Sequence, residues 1–152
     1  MKEVYVVSAL RTAVGSLGRS LKNIAGDELG SNVISSLLSF SKIEKGSVDE
    51  VIMGQVLTGG TGQNPARQAA IRSGIPKEKP AFVVNQVCGS GIRSVVSGFQ
   101  SIKAGDNKIV ISGGQESMSL APHAIFLREG KKLGDAEIID TMIKDGLWDA
   151  FH

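Results

Sequence analysis

Short apolar runs alternate with amphipathic stretches along the first 114 residues. Val4-Tyr5-Val6-Val7 is apolar and partly β-branched, and predicts a buried strand. A loop with Gly15, Gly18, Arg11 and Arg19 follows. Asp27-Glu28 then opens a helical pattern, with both acids placed well for the helix dipole. Leu29, Val33, Ile34, Leu37 and Leu38 fall at helical spacing and predict one apolar stripe. Val51-Ile52-Met53 predicts a second strand, ending at Gly54. Asn64 suits an N-cap and Pro65 a first helical residue, so a short helix is expected through Ala66, Ala69, Ala70 and Ile71, stopping near Gly74. Phe82-Val83-Val84 predicts a third strand. Gly91 to Lys103 predicts a helix with Val95, Val96, Phe99 and Ile102 on one side and Gly105 as its stop. Ile109-Val110-Ile111 predicts a fourth strand, running into Gly113-Gly114.

Strands this apolar are expected to be buried on both faces. The alternation therefore predicts an α/β fold with a mainly parallel sheet and helices above and below it. Beyond Gly114 the pattern changes. A helix is expected from Ala136 to Lys144, with Ile138, Ile139, Met142 and Ile143 apolar, and no fifth strand is legible. Leu147, Trp148 and Phe151 cluster at the last residues and need a surface to bury against. Either this segment docks on the domain or the chain should continue.

Composition narrows the class. The 152 residues are 41% hydrophobic and 21% charged, which is a soluble globular balance. No stretch approaches the roughly 20 apolar residues of a membrane helix, and the start does not read as a signal peptide, so a cytoplasmic protein without membrane partners is expected. The net charge of +2 is too weak and dispersed to imply nucleic acid. A single cysteine rules out an internal disulfide and a multi-cysteine zinc site, and no metal is expected. Nineteen glycines suggest several tight strand-to-helix turns.

Cys88 is the main candidate for chemistry. It follows the third strand and precedes Gly89-Ser90-Gly91, which opens a helix. Unpaired N–H groups and the positive end of the helix dipole would then point at it, favouring the nucleophilic thiolate. The same N–H groups could hold an oxyanion formed when the sulfur attacks a carbonyl. The plain alternative is a small buried hydrophobe. A base is not evident: His123 and His152 read as surface histidines, and Glu116 and Asp106 as solvated loop acids, although Glu116 lies at a strand end where functional residues collect. Gly60-x-Gly62 is a weak match to a dinucleotide-binding fingerprint, because Pro65 stands where the third glycine belongs. Arg11, Arg67, Arg72 and Arg93 are spread out, and a surface role is the default for each.

Asn85-Gln86-Val87-Cys88-Gly89-Ser90-Gly91-Ile92-Arg93-Ser94 resembles the nucleophile motif of the thiolases, in their acetyl-CoA acetyltransferase branch. Three further segments agree: residues 8–15, 62–69 and 113–119, and so do residues 133–142 and 145–151. The resemblance spans the whole chain. It implies a thiolase-like N-terminal α/β domain over residues 1–117, its last strand missing, and the beginning of a loop domain over residues 118–152. It implies that Cys88 attacks an acyl-CoA, releases CoA and carries an acyl-thioester. A carbanion from a second acetyl-CoA would then give acetoacetyl-CoA, with thiolysis as the reverse. No cofactor beyond the coenzyme A thioesters is implied, and the backbone N–H of Cys88 would contribute to an oxyanion hole. The family is more than twice this long, and its second half carries a histidine and a second cysteine that the 152 residues lack. The chain is therefore expected to be the N-terminal part of a thiolase, inactive by itself. The resemblance also implies a homo-oligomer, with residues 54–65 and the strand before Cys88 near the dimer interface. Two other readings compete: a non-catalytic remnant or interaction subunit, and a condensing enzyme of the ketoacyl-synthase type, against which residues 113–116 and the Cys88 motif argue.

Overall fold

A computed structural model describes residues 3–152. Three strands, β1 (Glu50–Gly54), β2 (Ala81–Val84) and β3 (Val110–Gly114), form one parallel sheet in the order β2-β1-β3. Three helices accompany them: α1 (Gly26–Ser41), α2 (Pro65–Arg72) and α3 (Ser90–Ala104). In register, Val51 lies between Ala81 and Ile111, and Met53 between Val83 and Gly113. Side chains alternate across a strand. Val51, Met53 and Ile111 thus join Ile34, Leu38, Val48, Ala66, Ala69, Ala70 and Ile75 in one core beneath α1 and α2. The other face, with Ile52 fully buried, carries α3. Each fully buried Val or Ile here stabilises the fold by about 1.5–3 kcal/mol. The expected α/β sheet with helices on both faces is what forms.

The helices approach through small residues. Gly30 of α1 faces Ala69 of α2, and a Cβ at Gly30 would run into the buried Gln115 side chain. The buried face of α1 therefore follows Asp27, Gly30, Ser31, Ile34 and Leu38, while Leu29, Val33 and Leu37 are only half-buried. On α3 the contrast with the expected stripe is larger. Ser90, Ser94 and Gly98 face the sheet, and Ile92, Val95, Val96 and Phe99 stand exposed on the outer side. Small residues bring the α3 backbone against β1 and β3: a Cβ on Gly98 would lie 2.5 Å from Ser112 Oγ.

Two sequence expectations fail. Val4–Val7 forms no strand, and Val6 is 84% exposed. Both edges of the central strand β1 are already taken, and residues 4–7 pair with neither β2 nor β3. An apolar run acquires strand structure only from a partner. The helix expected over 136–144 is also absent. Ile139–Asp140 (β5) instead pairs antiparallel with His123–Ala124 (β4), although no further strand was legible after Gly114. The Asp140 carboxylate accepts the Met142 N–H at 2.9 Å, so the helical turn starts only there and covers Met142–Leu147 in a wide, π-type winding. No helix among the described residues is long and apolar enough to cross a membrane.

Asp49 ties the start of β1 to that of β3. Its carboxylate accepts the Lys108 and Ile109 N–H groups at 2.8 and 3.1 Å, with the Lys79 ammonium 3.6 Å away. The two backbone bonds, more than the lysine charge, hold its pKa below the ordinary 3.8. A lowered carboxylate pKa stabilises the fold above the unfolded value, and this contribution is lost as the pH falls through the lower folded value. Asp49→Ala is expected to cost about 1 kcal/mol near neutral pH, after allowance for the partial exposure of the group, which is a fall of about 2–4 °C in Tm. The gap to the parent chain should close as thermal melts are taken down through the folded pKa; a gap that persists under acid would contradict this account.

Candidate active site at the Cys88 turn

The three parallel strands end on the same side of the molecule, at Gly54, Val84 and Gly114. Cys88 sits there, four residues past β2 and two before α3, as an exposed free thiol. The plain reading of this cysteine as a small buried hydrophobe therefore does not hold.

The turn that carries it is tightly bonded. The Gln86 N–H donates to Ser90 Oγ at 2.9 Å and the Val87 N–H to Asn85 Oδ1 at 2.9 Å. The Gly89 N–H donates to the Gln86 carbonyl at 3.0 Å, and the Ser90 N–H to the Val87 carbonyl at 3.1 Å. Cys88 alone, among residues 86–90, does not spend its N–H in this set. Val87 has φ +50°, in the left-handed region that a β-branched residue rarely enters. Such a conformation costs of order 1–3 kcal/mol and persists only where its surroundings enforce it.

The enforcement comes from the sheet. Gly54, the last residue of β1, packs directly beneath the first turn of α3. A Cβ there would lie 2.6 Å from both the Gly91 nitrogen and the Ser90 carbonyl oxygen, and closer still to the Ser90 carbonyl carbon. Ser94, fully buried one turn along, donates its single hydroxyl proton between the Gly91 and Gly113 carbonyls, 2.6 Å from each. The amino end of α3 is thus held on the carboxyl ends of β1 and β3, with its dipole directed at the turn.

A polar layer braces the same edge. Gln115 donates to Gln55 at 2.9 Å, both side chains being buried, and Gln55 donates to the Leu57 carbonyl at 3.0 Å. The Glu116 carboxylate accepts the Val56 and Leu57 N–H groups at 2.8 and 3.2 Å. Glu116 is therefore not the solvated loop acid expected from the sequence. Burial pushes its pKa up, against the lowering effect of the two backbone bonds. Its charge accordingly costs stability as the pH rises from its ordinary 4.5 through the higher folded value. Glu116→Ala leaves two N–H groups without an acceptor, and is expected to destabilise the fold by about 2 kcal/mol and lower Tm by about 4–8 °C. Glu116→Gln keeps an acceptor, and thermal melts should place it well above the alanine variant.

The remaining candidates lie elsewhere. His123 Nε2 is 3.9 Å from Asp140 Oδ2, and both line a cleft of about 420 Å³ with Lys22 and Met118. Asp106 is near Glu50 at the amino end of β1, where it adds to the burial that raises the Glu50 pKa. His152 is exposed. None of these shares a hydrogen bond or ion pair with Cys88, so no base is brought to the thiol within the described residues. The loop at Gly60 and Gly62 leads into α2: both glycines have positive φ, and Gln68 folds back onto the Thr61 and Gln63 carbonyls. Asn64 caps α2 by accepting the Arg67 N–H. The side chain of Arg67 holds the Lys77 and Lys79 carbonyls, and Arg72 pairs with the buried Asp27 at 3.0 Å. Beside the turn, Asn85 joins Gln55, Thr58, Asn64 and Val83 around a cleft of about 360 Å³. Among the described residues there is no cluster of three metal-ligating side chains.

Three features of the site had no role in the sequence reading: Gly54, Asn85 and the Ser90 hydroxyl. For Asn85 a signal was available, since an asparagine two residues before a turn amide commonly accepts from it. Gly54 and Ser90 have no comparable local signal, because their partners are distant in sequence or set by the turn itself.

Comparison with known proteins agrees with this arrangement. Residues 4–152 match the family described as Thiolase, N-terminal domain. The chain is 54% identical over 149 residues to the acetyl-CoA acetyltransferase of Rhizobium meliloti, covering 98% of this chain and 38% of that protein. It is 53% identical over 152 residues to the acetyl-CoA acetyltransferase of Paracoccus denitrificans, covering 100% and 39%. The fold superposes on the crystal structure of the Bacillus anthracis acetyl-CoA acetyltransferase with a TM-score of 0.88 at 32% identity, over 91% of this chain and 36% of that one. The chain thus spans less than two fifths of the length of these relatives. With the α/β sheet, the Cys88 turn and these matches in agreement, the chain belongs to the thiolase family, in the part that its N-terminal domain describes.

Proposed function

We propose that this chain supplies the nucleophile-bearing part of an acetyl-CoA C-acetyltransferase. The observation that supports this most directly is the exposed Cys88 on a turn whose other amides are already bonded, leaving the Cys88 N–H available. The Cys88 sulfur attacks the carbonyl carbon of acetyl-CoA and forms a new C–S bond. The carbonyl oxygen takes the negative charge, to which the Cys88 N–H donates. The charge collapses, the bond to the CoA sulfur breaks, and the CoA thiolate leaves and takes up a proton. A second acetyl-CoA, deprotonated at its α-carbon, attacks the acyl-thioester; a C–C bond forms and the Cys88 sulfur departs, giving acetoacetyl-CoA. Thiolysis is the reverse. The thioester itself acidifies the α-protons, so the substrates are CoA thioesters and no further cofactor is called for.

The 152 residues hold one cysteine, and no hydrogen bond or ion pair joins either histidine to it. The acid–base groups for proton transfer would therefore come from residues outside this chain, and the chain by itself would acetylate without turning over. The exposed outer side of α3, with Ile92 at 74% and Phe99 at 47%, offers an apolar surface for that remaining part. Assembly into a homo-oligomer in the cytoplasm belongs to the same reading. Intact mass of the native chain, before and after incubation with acetyl-CoA, tests it. One acetyl group per chain without continued CoA release is the expected result. A chain that takes no acetyl group would favour a non-catalytic remnant, and steady-state synthesis of acetoacetyl-CoA would overturn the expectation that it cannot turn over.

A further inference from the structure

The Ser90 hydroxyl is buried, with Ser90 only 4% exposed, and faces the turn rather than solvent. It accepts the Gln86 N–H at 2.9 Å and donates to the Val87 carbonyl at 2.5 Å. The Ser90 N–H reaches the same carbonyl at 3.1 Å. The Val87–Cys88 peptide is trans, so its C=O and N–H point in opposite directions. A carbonyl held twice from the helix side therefore directs the Cys88 N–H away from the turn. On the other flank, Asn85 Oδ1 holds the Val87 N–H at 2.9 Å and keeps Val87 at its positive φ.

We propose that Ser90, assisted by Asn85, is a positioning residue for acyl transfer: its hydroxyl fixes the Val87–Cys88 peptide so that the Cys88 N–H is presented to the developing oxyanion. This rests on the acyl-transfer reading above. Ser90 touches no substrate; it acts through the peptide it holds. Attack on a carbonyl needs that oriented N–H, whereas alkylation by iodoacetamide generates no oxyanion and does not. The two reactions of one thiol therefore separate orientation from exposure.

The test compares the full chain with Ser90→Ala and Asn85→Ala, measuring Cys88 acetylation by acetyl-CoA and alkylation by iodoacetamide in parallel. Ser90→Ala should acetylate about 10- to 100-fold more slowly while its alkylation rate stays within about threefold, since removing one oxyanion donor outright costs more than loosening it. Asn85→Ala, at an exposed position, should show the same split should Ser90→Ala fold poorly. Equal falls in both reactions, or an unchanged acetylation rate, would overturn the proposal. A parent chain that alkylates but accepts no acetyl group would instead sink the acyl-transfer reading. Amide hydrogen exchange then decides the positioning role, because neither the Val87 nor the Gly89 amide bonds to Ser90. A fall in their protection of about tenfold or more in Ser90→Ala supports it, and unchanged protection overturns it.

Discussion

Cys88→Ala is expected to remove the acetyl adduct completely. The chain has no second cysteine to take over, and the neighbouring Ser90 hydroxyl at the head of α3 is buried and already bonded to the Gln86 N–H and the Val87 carbonyl. Loss of a nucleophile in an activated constellation has lowered turnover by about six orders of magnitude in a hydrolase, so the residual rate here should fall to the background of thioester hydrolysis. Cys88→Ser gives the finer result. Serine keeps the size and the turn, but its hydroxyl is a weak nucleophile without an activating base. Its acetylation should thus fall nearly as far, while circular dichroism and melting stay close to those of the parent. Peptide mapping of the acetylated chain should place the group on Cys88 alone. An adduct that persists in Cys88→Ala, on a lysine for example, would show that acetyl-CoA modifies the surface and that the turn has no part in it.

Gly54→Ala should produce the largest loss of stability from a single added methyl group. The new Cβ would lie 2.6 Å from the Gly91 nitrogen and the Ser90 carbonyl oxygen, where backbone rather than a movable side chain blocks it. The strand cannot retreat, since β1 is bonded to β2 on one side and β3 on the other. The helix cannot easily retreat either, since Ser94 holds it to the Gly113 carbonyl. Overpacking of this kind costs about 3 kcal/mol or more, which corresponds to a fall in Tm of about 6–12 °C. Gly46→Ala is the control: nothing lies within 4 Å of its added Cβ, and it should melt with the parent. If Gly54→Ala folds by lifting the first turn of α3, its acetylation should fall with its stability, because Ser90 and Gly91 belong to the turn that presents Cys88. A variant with parental melting and parental acetylation would mean that β1 and α3 do not pack as closely as described.

Local chemistry made much of this protein legible. Val51–Met53, Phe82–Val84 and Ile109–Ile111 are short apolar runs bounded by turn residues, and each lies in or overlaps a strand of the parallel sheet. Asn64-Pro65 and Gly105 mark helix ends whose determinants sit within a few residues of one another: Asn64 caps α2, and Gly105 closes α3 at φ +94°. The placement of Cys88 between a strand and a helix follows from the same kind of signal. What failed needed partners that a local pattern does not contain. Val4–Val7 has strand composition but pairs with no strand among the described residues. Ile138 to Ile143 has helical spacing, but Asp140 caps a turn that starts after it, and Ile139 pairs with Ala124. The apolar stripe on α3 reads as a core face, yet Ser94 and Gly98 occupy the sheet side, since only small residues permit the close approach made there. Glu116 likewise reads as a solvated acid until the loop after β1 is folded against it. Local sequence thus carried the parallel α/β class, the place of Cys88 between a strand and a helix, and the family. Tertiary structure alone decided which helix faces are buried, which carbonyls and amides the Cys88 turn spends, and that Gly54 must lack a side chain. These depend on contacts between residues tens of positions apart, and no periodicity within a single segment encodes them.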